Sequence, residues 1–244
     1  MKVVAGYKTY AGNFREINQD AAILRVEKKD GQYFAILGVC DGIGGLERGE
    51  VASQITVKRI NQWFDGVMKW VDITTVEGNL VFAHLKDLIE ECNSVIQEYS
   101  VVNRVNMGTT LSLLMILREE YYIIQVGDSR VYHYRGKKLI QLTVDASVTK
   151  MNDNGRIKTY LDNYLGKDSE LWFTSIVGKW QDKDAFLVCS DGLYRRLCEE
   201  DIVESERDIW RRKRIGSVCT KLVQKVLDRG EKDNVTIGII GVSE

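Results

Sequence analysis

Five aspartates share one kind of setting. Asp41, Asp128 and Asp191 each close an apolar run and sit in a turn with glycine: Cys40-Asp41-Gly42-Ile43-Gly44-Gly45, Gly127-Asp128-Ser129-Arg130 and Ser190-Asp191-Gly192. Asp20 and Asp233 each stand just ahead of an apolar run. In an antiparallel sheet the end of one strand lies beside the start of the next, so these acids could converge on one rim. Carboxylates brought together repel and must share protons or a cation. An all-oxygen cluster favours a hard divalent ion such as Mg²⁺ or Mn²⁺. Zinc is not expected, since the only histidines are His84 and His133 and there is no Cys-x-x-Cys pair. The same scarcity argues against a Ser-His-Asp hydrolase. Each aspartate taken alone is also what a turn capping its own backbone would show.

The elements that would hold these acids follow from periodicity. Ala35-Ile36-Leu37-Gly38-Val39-Cys40 is a continuous apolar run, which reads as a strand buried on both faces. The glycines after it let another group approach the carboxylate closely. Residues 2–11 read as an edge strand and 21–26 as a strand that turns at Lys28-Lys29-Asp30-Gly31 into the strand 33–40. Helices are predicted over 47–64 and 79–100, joined by a connection over 65–78. His84 falls beside the apolar stripe of the second helix and reads as structural. Strands are predicted at 109–117, 121–126, 131–134, 139–142, 185–189 and 235–240, and a helix at 208–228. The basic run Arg211-Arg212-Lys213-Arg214 in that helix reads as a solvated face. Residues 143–183 are polar and irregular, the expected place for a mobile flap. This order suggests sheets covered by helices, not regular βαβ alternation.

The chain has 244 residues, 44% hydrophobic and 28% charged, which suits one large domain over 1–244. A net charge of -1 gives no general field for nucleic acid or membrane, so neither is expected as a partner. No apolar run reaches membrane-spanning length. The start, Met1-Lys2-Val3-Val4-Ala5-Gly6-Tyr7-Lys8, has no long apolar core, so no signal peptide is expected. The five cysteines, Cys40, Cys92, Cys189, Cys198 and Cys219, suit reduced thiols in a cytoplasmic protein.

Six motifs occur in order: Arg15-Glu16-Ile17-Asn18-Gln19-Asp20, Asp41-Gly42-Ile43-Gly44-Gly45, Met107-Gly108-Thr109-Thr110, Gly127-Asp128-Ser129-Arg130, Ser190-Asp191-Gly192-Leu193 and Asp233-Asn234-Val235-Thr236. Together they resemble the motif series of the metal-dependent protein phosphatases of type 2C, over about residues 6–241. The resemblance implies an α+β fold, a four-layer αββα sandwich of two antiparallel sheets flanked by helices. It implies a phosphoserine/phosphothreonine phosphatase with two Mn²⁺ or Mg²⁺ ions at one end of the sandwich. By position, Asp41 would bridge the ions, the Gly42 carbonyl and the neighbourhood of Asp20 would serve one, and Asp191 and Asp233 the other. Arg15 would grip the substrate phosphate. Asp128 with Asp191 would serve a weaker third ion, as in bacterial relatives. The implied partners are phosphorylated proteins, substrates of a cognate serine/threonine kinase, and the chain is expected to act as a monomer.

Four positions depart from the pattern. Gln19 stands where many members have glutamate, and Ile43 where animal enzymes have histidine. Arg195 stands four residues after Asp191, where some members carry aspartate. Asp145-Ala146-Ser147 replaces Asp-His-Ser. A rival reading lies in Cys189-Ser190-Asp191-Gly192-Leu193-Tyr194-Arg195, which matches the Cys-x5-Arg loop of cysteine-dependent phosphatases, where a thiolate attacks phosphorus. Val188 in place of a histidine and Asp191 where phosphate would sit count against it. A non-catalytic phosphoprotein-binding regulator of the same fold is the other alternative, and the intact acids count against that.

Overall fold

The strand β3 (Gln32–Cys40) sends alternate side chains into two different cores, and this sets the architecture. Phe34, Ile36 and Cys40 face helices, whereas Ala35, Leu37 and Val39 face a second sheet. Side chains alternate along a strand, so a strand in such a place must be apolar throughout. The computed structural model describes residues 2–151, 157–211 and 215–244.

The first sheet has the order β10-β5-β4-β3-β2, with β2 (Ala21–Lys29), β4 (Leu111–Leu117), β5 (Glu120–Val126) and β10 (Thr174–Lys179). The second runs β1-β12-β11-β6-β7, with β1 (Lys2–Tyr10), β6 (Arg130–Arg135), β7 (Lys138–Gln141), β11 (Asp184–Cys189) and β12 (Val235–Ser243). Every strand pair in both sheets is antiparallel. The helices α1 (Gly49–Trp70) and α2 (Gly78–Asn103) cover the first sheet. The helices α4 (Glu199–Arg211) and α5 (Ile215–Asp228) cover the second, after a single turn, α3 (Asp191–Tyr194). Leu114, Ile123, Phe186, Val188 and Ile240 fill the space between the sheets. The result is the αββα sandwich expected from the motifs.

Three expectations change. The first helix runs on through the predicted connection to Trp70, with Val67 and Met68 packed on the core. Gly66 interrupts the period there and hides the continuation. The predicted helix 208–228 is two helices, α4 and α5, and Arg212, Lys213 and Arg214 of its basic run lie outside the described residues. The segment 143–183, expected to be irregular, contains β10 and a separate hairpin, β8 (Ser147–Met151) with β9 (Ile157–Leu161). An edge strand and a hairpin with exposed Met151 and Ile157 have too little buried face to print a hydrophobic period.

Candidate metal centre

Antiparallel register brings the five acids to one end of the sandwich. Ala21 pairs with Cys40, Tyr10 with Val235, and Cys189 with Ile237, so Asp20, Asp41, Asp191 and Asp233 all extend from the same rim. Leu111 pairs with Val126 at that end too, and Asp128 follows. Among the histidines, His84 is exposed on α2. His133 lies beside Asp184 (Nε2–Oδ2 3.0 Å) at the start of β11. Five strand residues further, about 17 Å away, the strand reaches the rim.

The backbone of Asp41 is clamped on both sides by the Thr109-Thr110 segment. Its N–H donates to Thr110 Oγ1 (3.0 Å), and its carbonyl accepts from the Thr110 N–H (2.9 Å) and the Thr109 hydroxyl (2.9 Å). Gly42 is squeezed next to it, its N–H on the Gln19 carbonyl at 3.1 Å. A Cβ there would lie 2.5 Å from the Gly49 carbonyl, so no larger residue fits. Gly127 holds φ +100°, a conformation that favours glycine, in the turn between β5 and Asp128.

Asp20 is buried. The Ser190 hydroxyl donates to its Oδ2 at 2.8 Å and itself accepts from the Thr236 N–H at 3.0 Å. Asp233 is shaped by Asn234, whose N–H donates to Asp233 Oδ1 at 2.9 Å. The Asn234 side chain also ties down the Arg15 loop, donating to the Ala11 and Ile17 carbonyls (2.7 and 3.1 Å) and accepting from the Gln19 N–H (2.9 Å). Arg15 Nη2 reaches both Asp233 oxygens at 3.1 Å. Arg195 is ion-paired with Asp191 Oδ2, and its Nη1 lies 3.8 Å from Asp233 Oδ2. Arg130 grips Asp145 with two parallel bonds (2.9 and 2.7 Å) and stacks on the Tyr194 ring at 3.6 Å. Asp145 is thus spent on bracing the loop beside Asp128.

The electrostatics call for positive charge. Burial pushes the Asp20 carboxyl up to about 6, with Asp233 adding to the shift and the Ser190 hydroxyl opposing it. Burial raises Asp41 well above the usual range, and the charges of Asp20, Asp191, Asp128 and Asp233 add to this. Asp191 rises to about 7 through burial, against the pull of Arg195, and Asp128 rises through burial and the charge of Asp145. Asp20 Oδ1 is buried with no hydrogen-bond partner, an orphaned acceptor that a cation would satisfy. The all-oxygen donors and the unneutralised charge fit two divalent ions. Among the described residues no three acid, histidine or cysteine side chains close on one point as a finished ligand set. Asp191 and Asp233 instead face Arg195 and Arg15.

The thiol of Cys189 is wrong for a nucleophile. It is buried in the core between β11 and the helices, and burial pushes its pKa far up, away from the thiolate. Arg195, which the rival loop would need on phosphate, pairs with Asp191. Cys198 is exposed, unlike the other four cysteines. The motifs marked the acids and Arg15, but the supporting work of Thr110, Ser190 and Asn234 shows only in the hydrogen bonds, although each stands inside a motif.

Comparison with known proteins agrees with this architecture. A family model described as protein phosphatase 2C matches residues 13–227. The chain is 30% identical to the serine/threonine phosphatase stp of Listeria welshimeri, over 97% of this chain and 94% of that protein. The structure of the serine/threonine phosphatase Stp1 from Staphylococcus aureus superposes with a TM-score of 0.80 at 25% identity, covering 100% of this chain and 96% of that one. The catalytic domain of the serine/threonine protein phosphatase PstP, solved in complex with 2 manganese ions, gives a TM-score of 0.75 at 25% identity, with 100% of both chains covered. The chain belongs to the protein phosphatase 2C family.

Proposed function

We propose that this chain removes phosphate from phosphoserine and phosphothreonine in proteins with a pair of divalent ions held at the rim, Mn²⁺ or Mg²⁺. The observation that carries this reading is the gathering of Asp20, Asp41, Asp128, Asp191 and Asp233, from separate strand ends, into one cluster of five acids faced by two arginines, Arg15 and Arg195. The family's named phosphatases, and the manganese pair in PstP, support it.

When bound, such ions supply an acidified water and positive charge for the phosphoryl oxygens. Asp41, on which the charges of Asp20, Asp191, Asp128 and Asp233 all act, would hold both ions. The Gly42 carbonyl and Asp20 would serve one; Asp191 and Asp233 would serve the other. Arg15, half-exposed, would turn from Asp233 to the substrate phosphate, where a fork of N–H donors matches two oxygens. Ile43 supplies no proton in the glycine loop, so the leaving alkoxide would take its proton from water. The reading treats residues 1–244 as one catalytic domain with a flap near 143–183. It acts as a cytoplasmic monomer on the products of a serine/threonine kinase. Among the described residues no helix is long and apolar enough to cross a membrane. Phosphopeptide hydrolysis that requires Mn²⁺ or Mg²⁺ tests the reading.

A further inference from the structure

Arg195 has no task in that scheme, yet it points into the cluster. It follows α3 directly, with helical φ -61° and ψ -25°, and its N–H bonds the Asp191 carbonyl at 3.0 Å. The side chain is therefore carried back over the turn that bears Asp191. Its guanidinium pairs with Asp191 and lies within 3.8 Å of Asp233. Its positive charge also acts on Asp128, opposing the rise that burial imposes there. Two carboxylates of the site, Asp191 and Asp233, thus face one cation whose charge also reaches Asp128.

A third ion at Asp128 and Asp191 does not fit these residues. The guanidinium already takes Asp191 Oδ2, which leaves that carboxylate one oxygen for the ion it would share with Asp233 and none for a third. Position 195 offers no oxygen to compensate, since guanidinium has donors only. We propose that Arg195 is the third cation of this centre. It stands between Asp128, Asp191 and Asp233 in place of a divalent ion, so that the protein binds two ions and no third. The inference rests on the two-ion reading above.

Equilibrium dialysis against Mn²⁺, with metal counted per folded chain, tests it apart from catalysis. Wild type should hold two ions up to millimolar Mn²⁺. Arg195→Asp should gain one more ion, Arg195→Lys should stay at two, and adding Asp128→Asn to Arg195→Asp should return the count to two. Arg195 is half-exposed, so the fold should survive these changes, which a thermal melt checks. Three ions in wild type, or a folded Arg195→Asp variant that stays at two, would overturn the proposal while leaving the two-ion reading intact. Fewer than two ions in wild type would overturn both.

Discussion

Arg15 Nη2 lies 3.1 Å from both carboxylate oxygens of Asp233, across 218 positions of chain. The pair joins the loop ahead of β2 to the loop ahead of β12, and Asn234 fixes the distance between them through its bonds to Ala11, Ile17 and Gln19. The cation proposed to grip phosphate is thereby stored on an acid proposed to ligate metal.

The first prediction follows from that storage. Arg15→Ala should raise KM by ~10-fold or more and lower kcat less, because a group that grips phosphate in both ground and transition states acts on binding. Steady-state kinetics on a phosphopeptide and on a small aryl phosphate measure the split. An unchanged KM for both substrates would remove Arg15 from the site.

Asp191→Asn keeps the shape of the α3 turn but replaces a proposed ligand carboxylate with a neutral amide. It should lose at least ~100-fold in kcat, because it weakens the hold on an ion that supplies the nucleophile. Near-normal turnover with tightly bound metal would exclude Asp191 as a ligand.

The raised acids also predict how stability depends on pH. In a chelator the folded chain holds more protons than the unfolded chain between the ordinary carboxylate value of 3.8 and the values near 6 and 7 of Asp20 and Asp191. Stability should therefore fall as pH rises through that window. Asp184 titrates below it. Burial opposes its ionisation, yet His133 and Arg135 hold it at about 2. The melting temperature in chelator should drop by at least ~3 °C between about pH 5 and pH 7.5. Mn²⁺ competes with those protons, so the rise it gives should be larger at the higher pH. A melting temperature in chelator that stays flat or climbs over this range would contradict the account.

Cys189→Ser separates the two phosphatase chemistries that share residues 189–195. The thiol is packed among Leu187, Leu193 and the α5 side chains. The variant should lose about 1 kcal/mol of stability, from a hydroxyl placed in an apolar site, and keep its activity. A folded variant without activity would restore the thiolate reading.

Strand cores were legible in the sequence because a strand buried on both faces has to be apolar at every position, as in 33–40 and 185–189. The acids were legible because each borders an apolar run, Asp41, Asp128 and Asp191 at its end and Asp20 and Asp233 at its start. Elements with little buried surface were not, which is why β10 and the β8–β9 hairpin escaped. The position of Arg195 was visible as a departure, but its partners were not: pairing with Asp191 and Asp233 depends on how α3 turns and on the register of β11 with β12. Thr110 and Ser190 stand in motifs, yet short hydroxyl residues occur in so many turns that only the fold shows which backbone groups they hold.

The central claim is that the rim carboxylates work through divalent ions. Phosphopeptide hydrolysis by the wild-type chain, stripped with chelator and then supplied with Mn²⁺, tests it most directly. The account predicts that turnover disappears in chelator and returns on adding Mn²⁺. Full turnover persisting in chelator would contradict it.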